Sequence, residues 1–117
     1  MRVIAGVEKG RKLVAPSGDH IRPTKDRVKE AIFNSLHSYG LVNDKSFLDL
    51  FSGTGSLGIE AISRGARSCT FIDNSSKSIK AIEDNIYSLR LPSIHDCIKV
   101  DIEKIRKLGL AKGGSLE

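Results

Sequence analysis

Phe47-Leu48-Asp49-Leu50-Phe51-Ser52-Gly53-Thr54-Gly55-Ser56-Leu57-Gly58-Ile59-Glu60-Ala61 is the stretch on which the fold turns. An apolar run with strand character ends on a carboxylate, enters a glycine loop and opens a helical pattern. Glycines at 53 and 55 let the backbone turn sharply and approach a ligand, and Gly58 lets the helix pack close to its strand. A second apolar run, Cys69-Thr70-Phe71-Ile72, ends at Asp73, twenty residues beyond Gly53, the spacing of an acid that accepts from ribose hydroxyls. Strand, glycine loop, helix, strand and acid in that order describe a nucleotide-cofactor cradle.

Working outward, the pattern predicts a first strand over 46–50, a helix over about 57–64 stopped by Gly65, and a second strand over 68–73. Ser75 or Ser76 caps the next helix, whose Ile79, Ile82, Ile86 and Leu89 recur at helical spacing until Leu91-Pro92. A third strand over 97–100 ends at Asp101, and Ile102, Ile105 and Leu108 suggest a short helix before a flexible glycine-containing tail. Alternating strands and helices of this length predict an α/β fold with right-handed crossovers and parallel strands in the order 3-2-1. Upstream, residues 2–5 and 11–14 read as two short strands of a basic β-hairpin joined by a loop with glycine at each end. After turn chemistry at 16–19, Pro23-Thr24 announces a helix: Thr24 caps it, Asp26 suits its first turn, and Val28, Ala31, Ile32 and Leu36 form its apolar face before Tyr39-Gly40.

At 117 residues the chain holds one domain at most, and it is short for a complete doubly wound sheet. Charged residues make up 28% and AVILMFWYC residues 39%, with no apolar run long enough to span a membrane. Residues 1–6 soon meet Glu8, Lys9, Arg11 and Lys12, which leaves no room for an apolar signal segment, so a cytoplasmic location is expected. Cys69 and Cys97 fall inside predicted strands, and His20, His37 and His95 are scattered without ligand spacing; reduced thiols and no metal are expected. The charge is uneven. Residues 1–29 hold eight Lys/Arg against three Asp/Glu, whereas the rest holds eleven of each. A basic arm on a neutral domain suits a polyanion such as nucleic acid, although a merely solvated basic surface has the same composition.

Dinucleotide and S-adenosylmethionine sites share the glycine loop and the ribose acid. Asp49 separates them. A carboxylate four residues before the first glycine would repel an anionic pyrophosphate, whereas S-adenosylmethionine carries an ammonium and a sulfonium that an acid stabilises. Asp49 could alternatively bond only to loop amides, Asp73 could cap the helix near Ser75, and Asp101 could either accept from the adenine amine or cap the turn that follows.

Asp49-Leu-Phe-Ser-Gly53-Thr-Gly55 resembles the DxFxGxG signature of S-adenosylmethionine-dependent methyltransferases that modify exocyclic amines of nucleic-acid bases. Arg2-Val-Ile-Ala-Gly6, Lys9-Gly-Arg-Lys-Leu13 and Arg22-Pro-Thr-Lys-Asp26-Arg27-Val-Lys-Glu-Ala31-Ile-Phe-Asn34 resemble the opening of the bacterial 16S rRNA guanine-N2 methyltransferase family, small-subunit methyltransferase D. With Leu57-Gly-Ile-Glu-Ala61, Ser63-Arg-Gly-Ala66 and Asp73, the resemblance runs from residue 2 to about 101.

The resemblance implies the N-terminal half of a Rossmann-like methyltransferase fold, with a basic hairpin extension over 1–22 that contacts RNA and a partial cofactor-binding domain over 23–117. It implies S-adenosylmethionine as cofactor, held by Asp49, Phe51, Gly53, Thr54, Gly55, Asp73, Asn74 and Asp101. Arg2, Lys9, Arg11, Lys12, Arg22 and Arg27 are the implied contacts to 16S rRNA or the small ribosomal subunit assembly. Such enzymes polarise the guanine amine with an Asp/Asn-Pro-Pro-Tyr/Phe motif after strand four. The prolines here are Pro16, Pro23 and Pro92, none of them paired, so no catalytic residue is assigned and the chain is expected to stop just before that motif. An unpaired apolar edge on strand one would then favour association or partial disorder. A catalytically inactive RNA- and cofactor-binding fragment, and a dinucleotide-binding oxidoreductase domain, remain alternatives at this stage.

Overall fold

Short apolar runs separated by single helices pair in parallel, because each connection must cross over the sheet to start the next strand. The computed structural model describes residues 1–15, 25–50, 52–89, 95–101 and 103–104. In these, α1 (Asp26–Ser38), β1 (Ser46–Leu50), α2 (Ser56–Ser63), β2 (Ser68–Asp73), α3 (Ser76–Leu89) and β3 (His95–Lys99) follow one another. The sheet is parallel with order β1-β2-β3, as the alternation of strands and helices predicts. Register runs from Ser46 opposite Ser68 to Leu50 opposite Ile72, and from Cys69 opposite His95 to Asp73 opposite Lys99. The third strand starts and ends earlier than its apolar residues suggest.

Both crossover helices lie on one face of the sheet. There Ile59 and Ile62 of α2, Ile82, Ile86 and Leu89 of α3, and Cys69 and Phe71 of β2 form the main core. Strand alternation sends Leu48, Leu50 and Ile98 to the opposite face, where they are exposed among the described residues. A second cluster joins Phe33 of α1 to Val42, Ala61 and Ala66. Cys69 is buried, Cys97 is half-buried, and both are free thiols.

Two expectations are corrected. The N-terminal arm, residues 1–15, is not a pair of four-residue strands: a single antiparallel bridge joins Arg2 and Lys12. Val3 N–H donates to Arg11 O (2.9 Å), Leu13 N–H to Met1 O (3.0 Å) and Gly10 N–H to Val3 O (2.8 Å), the last one residue out of register. The Ala5 N–H that the next rung would use donates instead to the Glu60 carboxylate at 3.0 Å, as does Ile4 N–H at 2.8 Å. Val3 and Leu13 meanwhile join the main core, so the arm is packed onto α2 and α3. The second correction concerns α1, whose buried face carries Lys29 and Phe33, with Val28 and Ile32 exposed at 48% and 41%. A basic residue outranks two aliphatics because it reaches a buried carboxylate. The α1 N-cap is Lys25 without a side-chain cap bond; Thr24, the 16–19 turn and all but residues 103–104 of the short helix expected from Ile102, Ile105 and Leu108 lie outside the described residues.

Gly6 sits where the arm crosses α2, with φ at +87° and Ser63 O only 1.9 Å from where a Cβ would stand. Gly6→Ala is therefore expected to unseat the arm and lower unfolding free energy by roughly 2 kcal/mol or more in urea titrations. An unchanged midpoint would contradict this packing.

Candidate cofactor cradle

The site forms where β1 hands over to α2. Ser52 N–H donates to Ile72 O (3.0 Å), which pins the start of the loop to β2, and Gly55 N–H donates to Ser52 O (2.8 Å), which closes the turn. Gly53 and Gly55 both have positive φ, 58° and 78°. Gly58 then brings α2 to backbone distance from the sheet: a Cβ there would stand 2.3 Å from the Phe71 ring and 2.7 Å from Cys69 Sγ. No side chain caps α2 from its own N-cap residue. Instead Asp49 Oδ2 accepts from Gly58 N–H at 3.1 Å and Thr54 Oγ1 accepts from Ser56 N–H at 3.2 Å.

Asp49 lies at the end of an otherwise apolar cleft shared with Ile32, Leu36, Leu48 and Leu57. Removal from water pushes its carboxyl up to about 6, against the Gly58 N–H that lowers it, and the Asp73 charge raises it further. Among the described residues no cationic side chain pairs with it. Its one hydrogen-bond donor among the described residues is that Gly58 amide.

Asp73 closes the other side. Its Oδ2 accepts from Gly53 N–H and its Oδ1 from Ser75 N–H, both at 2.9 Å, so it fastens the loop to the start of α3. Each oxygen keeps a further lone pair for a ligand hydroxyl. Thr54 is buried and Asn74 exposed beside Asp73. Asp101 is exposed beyond β3 and caps a turn, its Oδ1 accepting from Glu103 N–H at 2.9 Å. Asp49, Asp73 and Asp101 thus stand at or just past the carboxyl ends of three neighbouring strands, the edge at which open α/β sheets bind ligands. Phe51 lies outside the described residues.

The basic residues divide into two groups. Arg2 is paired with Asp26 (3.2 Å) and Arg11 with Glu8 (3.3 Å). Lys9, Lys12 and Arg27 are exposed and make no ion pair among the described residues; Arg22 lies outside them. Sequence reasoning missed Lys29, Glu60 and Asn85, which are buried and join the arm to the loop or to α2. The available signal was a polar residue on an apolar stripe: Asn85 falls between Ile82 and Ile86. Among the described residues no cluster suits a metal ion, and no helix is long and apolar enough to cross a membrane.

The sequence model of the family described as Conserved hypothetical protein 95 matches residues 1–114. Ribosomal RNA small subunit methyltransferase D of Haemophilus influenzae is 41% identical over 93 residues, which cover 80% of this chain and 47% of that protein. The protein of the same name from Escherichia coli K12 is 39% identical over 90 residues, 77% of this chain and 44% of that one. The chain spans about half the length of the curated relatives it matches. The solved structure of Escherichia coli yhhF superimposes with a TM-score of 0.77 at 31% identity, covering 90% of this chain and 55% of that one.

A carboxyl raised from 3.8 to about 6 binds more protons in the folded than in the unfolded chain between those values. Its contribution therefore makes the ligand-free fold more stable as pH falls from about 7 to 4, with a penalty of up to about 3 kcal/mol fully present above about pH 7. Asp49→Asn keeps an acceptor for Gly58 N–H and is expected to raise the melting temperature at pH 8 while flattening this pH dependence between 4 and 7. A lower melting temperature for the variant at pH 8 would contradict the desolvated carboxylate.

Proposed function

Because the chain belongs to the family described as Conserved hypothetical protein 95, the family of the small-subunit rRNA methyltransferase D relatives, we propose that it serves an S-adenosylmethionine-dependent rRNA methyltransferase. The proposed product is a guanine of 16S rRNA methylated at its exocyclic N2 amine, formed in the cytoplasm on the rRNA or on a small-subunit particle. Within that activity residues 23–117 hold the methyl donor and residues 1–22 grip RNA.

Asp49 carries this reading. Its carboxyl is half-buried, with its pKa raised by partial desolvation, and has no cationic partner among the described residues, so a ligand ammonium or sulfonium would relieve that cost. A pyrophosphate would meet Asp49 and Asp73 together and be repelled, which disfavours a dinucleotide. The residues present fit the donor. Gly53, Thr54 and Gly55 form the turn that follows the acid; Phe51, outside the described residues, is proposed as a cofactor contact from the sequence alone. The proposed roles are acceptance from the ribose hydroxyls by Asp73, with Asn74 beside it, and from the adenine amine by Asp101. When bound, the cofactor supplies an electrophilic methyl group on sulfur. The protein's share is to hold the cationic end at Asp49 and the ribose at Asp73.

Guanine N2 is a poor nucleophile, because its lone pair is delocalised into the ring, so the acceptor base needs hydrogen-bond acceptors to polarise it. No Pro-Pro pair of the kind that serves this purpose occurs among the 117 residues. The role proposed for this chain is accordingly donor binding and RNA grip. Lys9, Lys12 and Arg27, exposed and unpaired among the described residues, are the foremost phosphate contacts; Arg2 and Arg11 must share their charge with Asp26 and Glu8.

Calorimetric titration is expected to show binding of S-adenosylhomocysteine and none of NAD. Asp49→Asn should weaken that binding roughly 10- to 100-fold, and wild-type affinity should fall as pH drops below about 6, where Asp49 takes up its proton. Binding of NAD without S-adenosylhomocysteine would overturn the proposal. For RNA, Lys9→Gln, Lys12→Gln and Arg27→Gln should each lower the slope of log affinity against log salt by about one.

A further inference from the structure

Two buried polar side chains that no cofactor role accounts for span the same gap from opposite sides. Lys29, on α1, has no exposed surface; its Nζ donates to Arg2 O at 2.6 Å and to Ser56 Oγ at 2.8 Å, and stands 3.6 Å from Glu60 Oε1. Asn85, on α3, is 1% exposed; its Oδ1 accepts from Val14 N–H at 2.7 Å, and its Nδ2 donates to Val14 O at 2.9 Å and to Thr54 O at 3.2 Å. Arg2 and Val14 belong to the arm. Thr54 lies inside the glycine turn, and Ser56 is the first residue of α2. Each side chain therefore holds arm backbone with one bond set and the glycine turn with another.

Anchoring of the arm does not by itself require this. Glu60 already takes the Ile4 and Ala5 N–H groups, and Ser63 Oγ accepts from Glu8 N–H at 3.0 Å and donates to Ala5 O at 2.7 Å. Burying an ammonium is costly, and a methionine would fill comparable space without that cost. What a methionine could not do is reach the arm and Ser56 at once. The turn is already held to β2 and Asp73 by the Ser52 and Gly53 N–H groups; the bonds to Thr54 O and Ser56 Oγ add what those lack, a tie from the turn and the first residue of α2 to the arm.

We infer that Lys29 and Asn85 are positioning residues of the cofactor loop, fixing the turn at 53–56 against the N-terminal arm so that the seating of the arm sets the loop's affinity for its ligand. The identity of that ligand rests on the methyl-donor proposal; the effect on the loop does not. The arm is thus part of the cofactor site without touching the cofactor.

The test compares wild type, Lys29→Met, Asn85→Leu and Ser63→Ala at a temperature where circular dichroism shows all four folded. Ser63→Ala is the control, since it removes buried arm bonds without touching the turn. Amide hydrogen exchange at residues 53–56 is expected to speed up at least tenfold in Lys29→Met and Asn85→Leu and to change less than twofold in Ser63→Ala. Affinity for S-adenosylhomocysteine should fall about tenfold in the first two and stay within twofold in the control. Equal loop exchange in all four, or an equal loss in Ser63→Ala, would overturn the inference. If Lys29→Met fails to fold, Asn85→Leu decides alone. Failure of wild type to bind S-adenosylhomocysteine would sink the cofactor proposal, and the exchange data would still decide this one.

Discussion

The bond from Gly58 N–H to the Asp49 carboxylate is the contact around which this molecule is arranged. It forms only because α2 lies at backbone distance from β2, an approach that any side chain at position 58 would block against Phe71 and Cys69. That closeness strips water from Asp49 and raises its pKa. A helix N-terminus favours a carboxylate nearby, yet one amide does not replace lost hydration. The result is a half-buried carboxyl with a raised pKa, one amide donor and no cationic partner among the described residues. Packing and electrostatics at the site are the same fact.

A second set of buried charges has a different purpose. Glu60 is fully buried but well supplied, accepting from two arm N–H groups and from Arg64 Nε at 2.7 Å, with Lys29 Nζ 3.6 Å away. Arg64 also lies over the Phe33 ring, 5.3 Å from its centroid, which ties α1 to α2. Burial lowers the pKa of Lys29, and Glu60 works against that shift. Apolar side chains often match the stability of such a cluster, so its distinctive contribution is geometric: backbone groups of a segment with little regular structure are held at defined points on α2. A basic arm can be carried at a fixed place beside the cradle without being a strand of the sheet.

Much of this was legible in the residues. The run from Phe47 to Ala61 announces strand, turn and helix in order, the acids fall at strand ends, and the parallel order follows from short crossovers. What escaped was tertiary. In α1, periodicity favours Val28, Ala31, Ile32 and Leu36, but the buried positions are Lys29 and Phe33, since the helix orients to deliver an ammonium to Ser56 Oγ and the arm. In the arm, alternation suggests a hairpin, but a carboxylate 55 residues away takes the Ala5 N–H that the next rung needed. Asn85 reads as a polar interruption of an apolar stripe until Val14 and Thr54 are seen on either side of it. Each miss is a local pattern overruled by a hydrogen bond between residues distant in sequence.

Asp49 is proposed above to take the cationic end of a methyl donor. The most direct test is a pH titration of the Asp49 carboxyl carbon by NMR, with and without saturating S-adenosylhomocysteine. The account expects a midpoint near 6 in the free protein and a lower one in the complex, because a bound ammonium favours the ionised acid. A midpoint that stays in place or rises on saturation would contradict it.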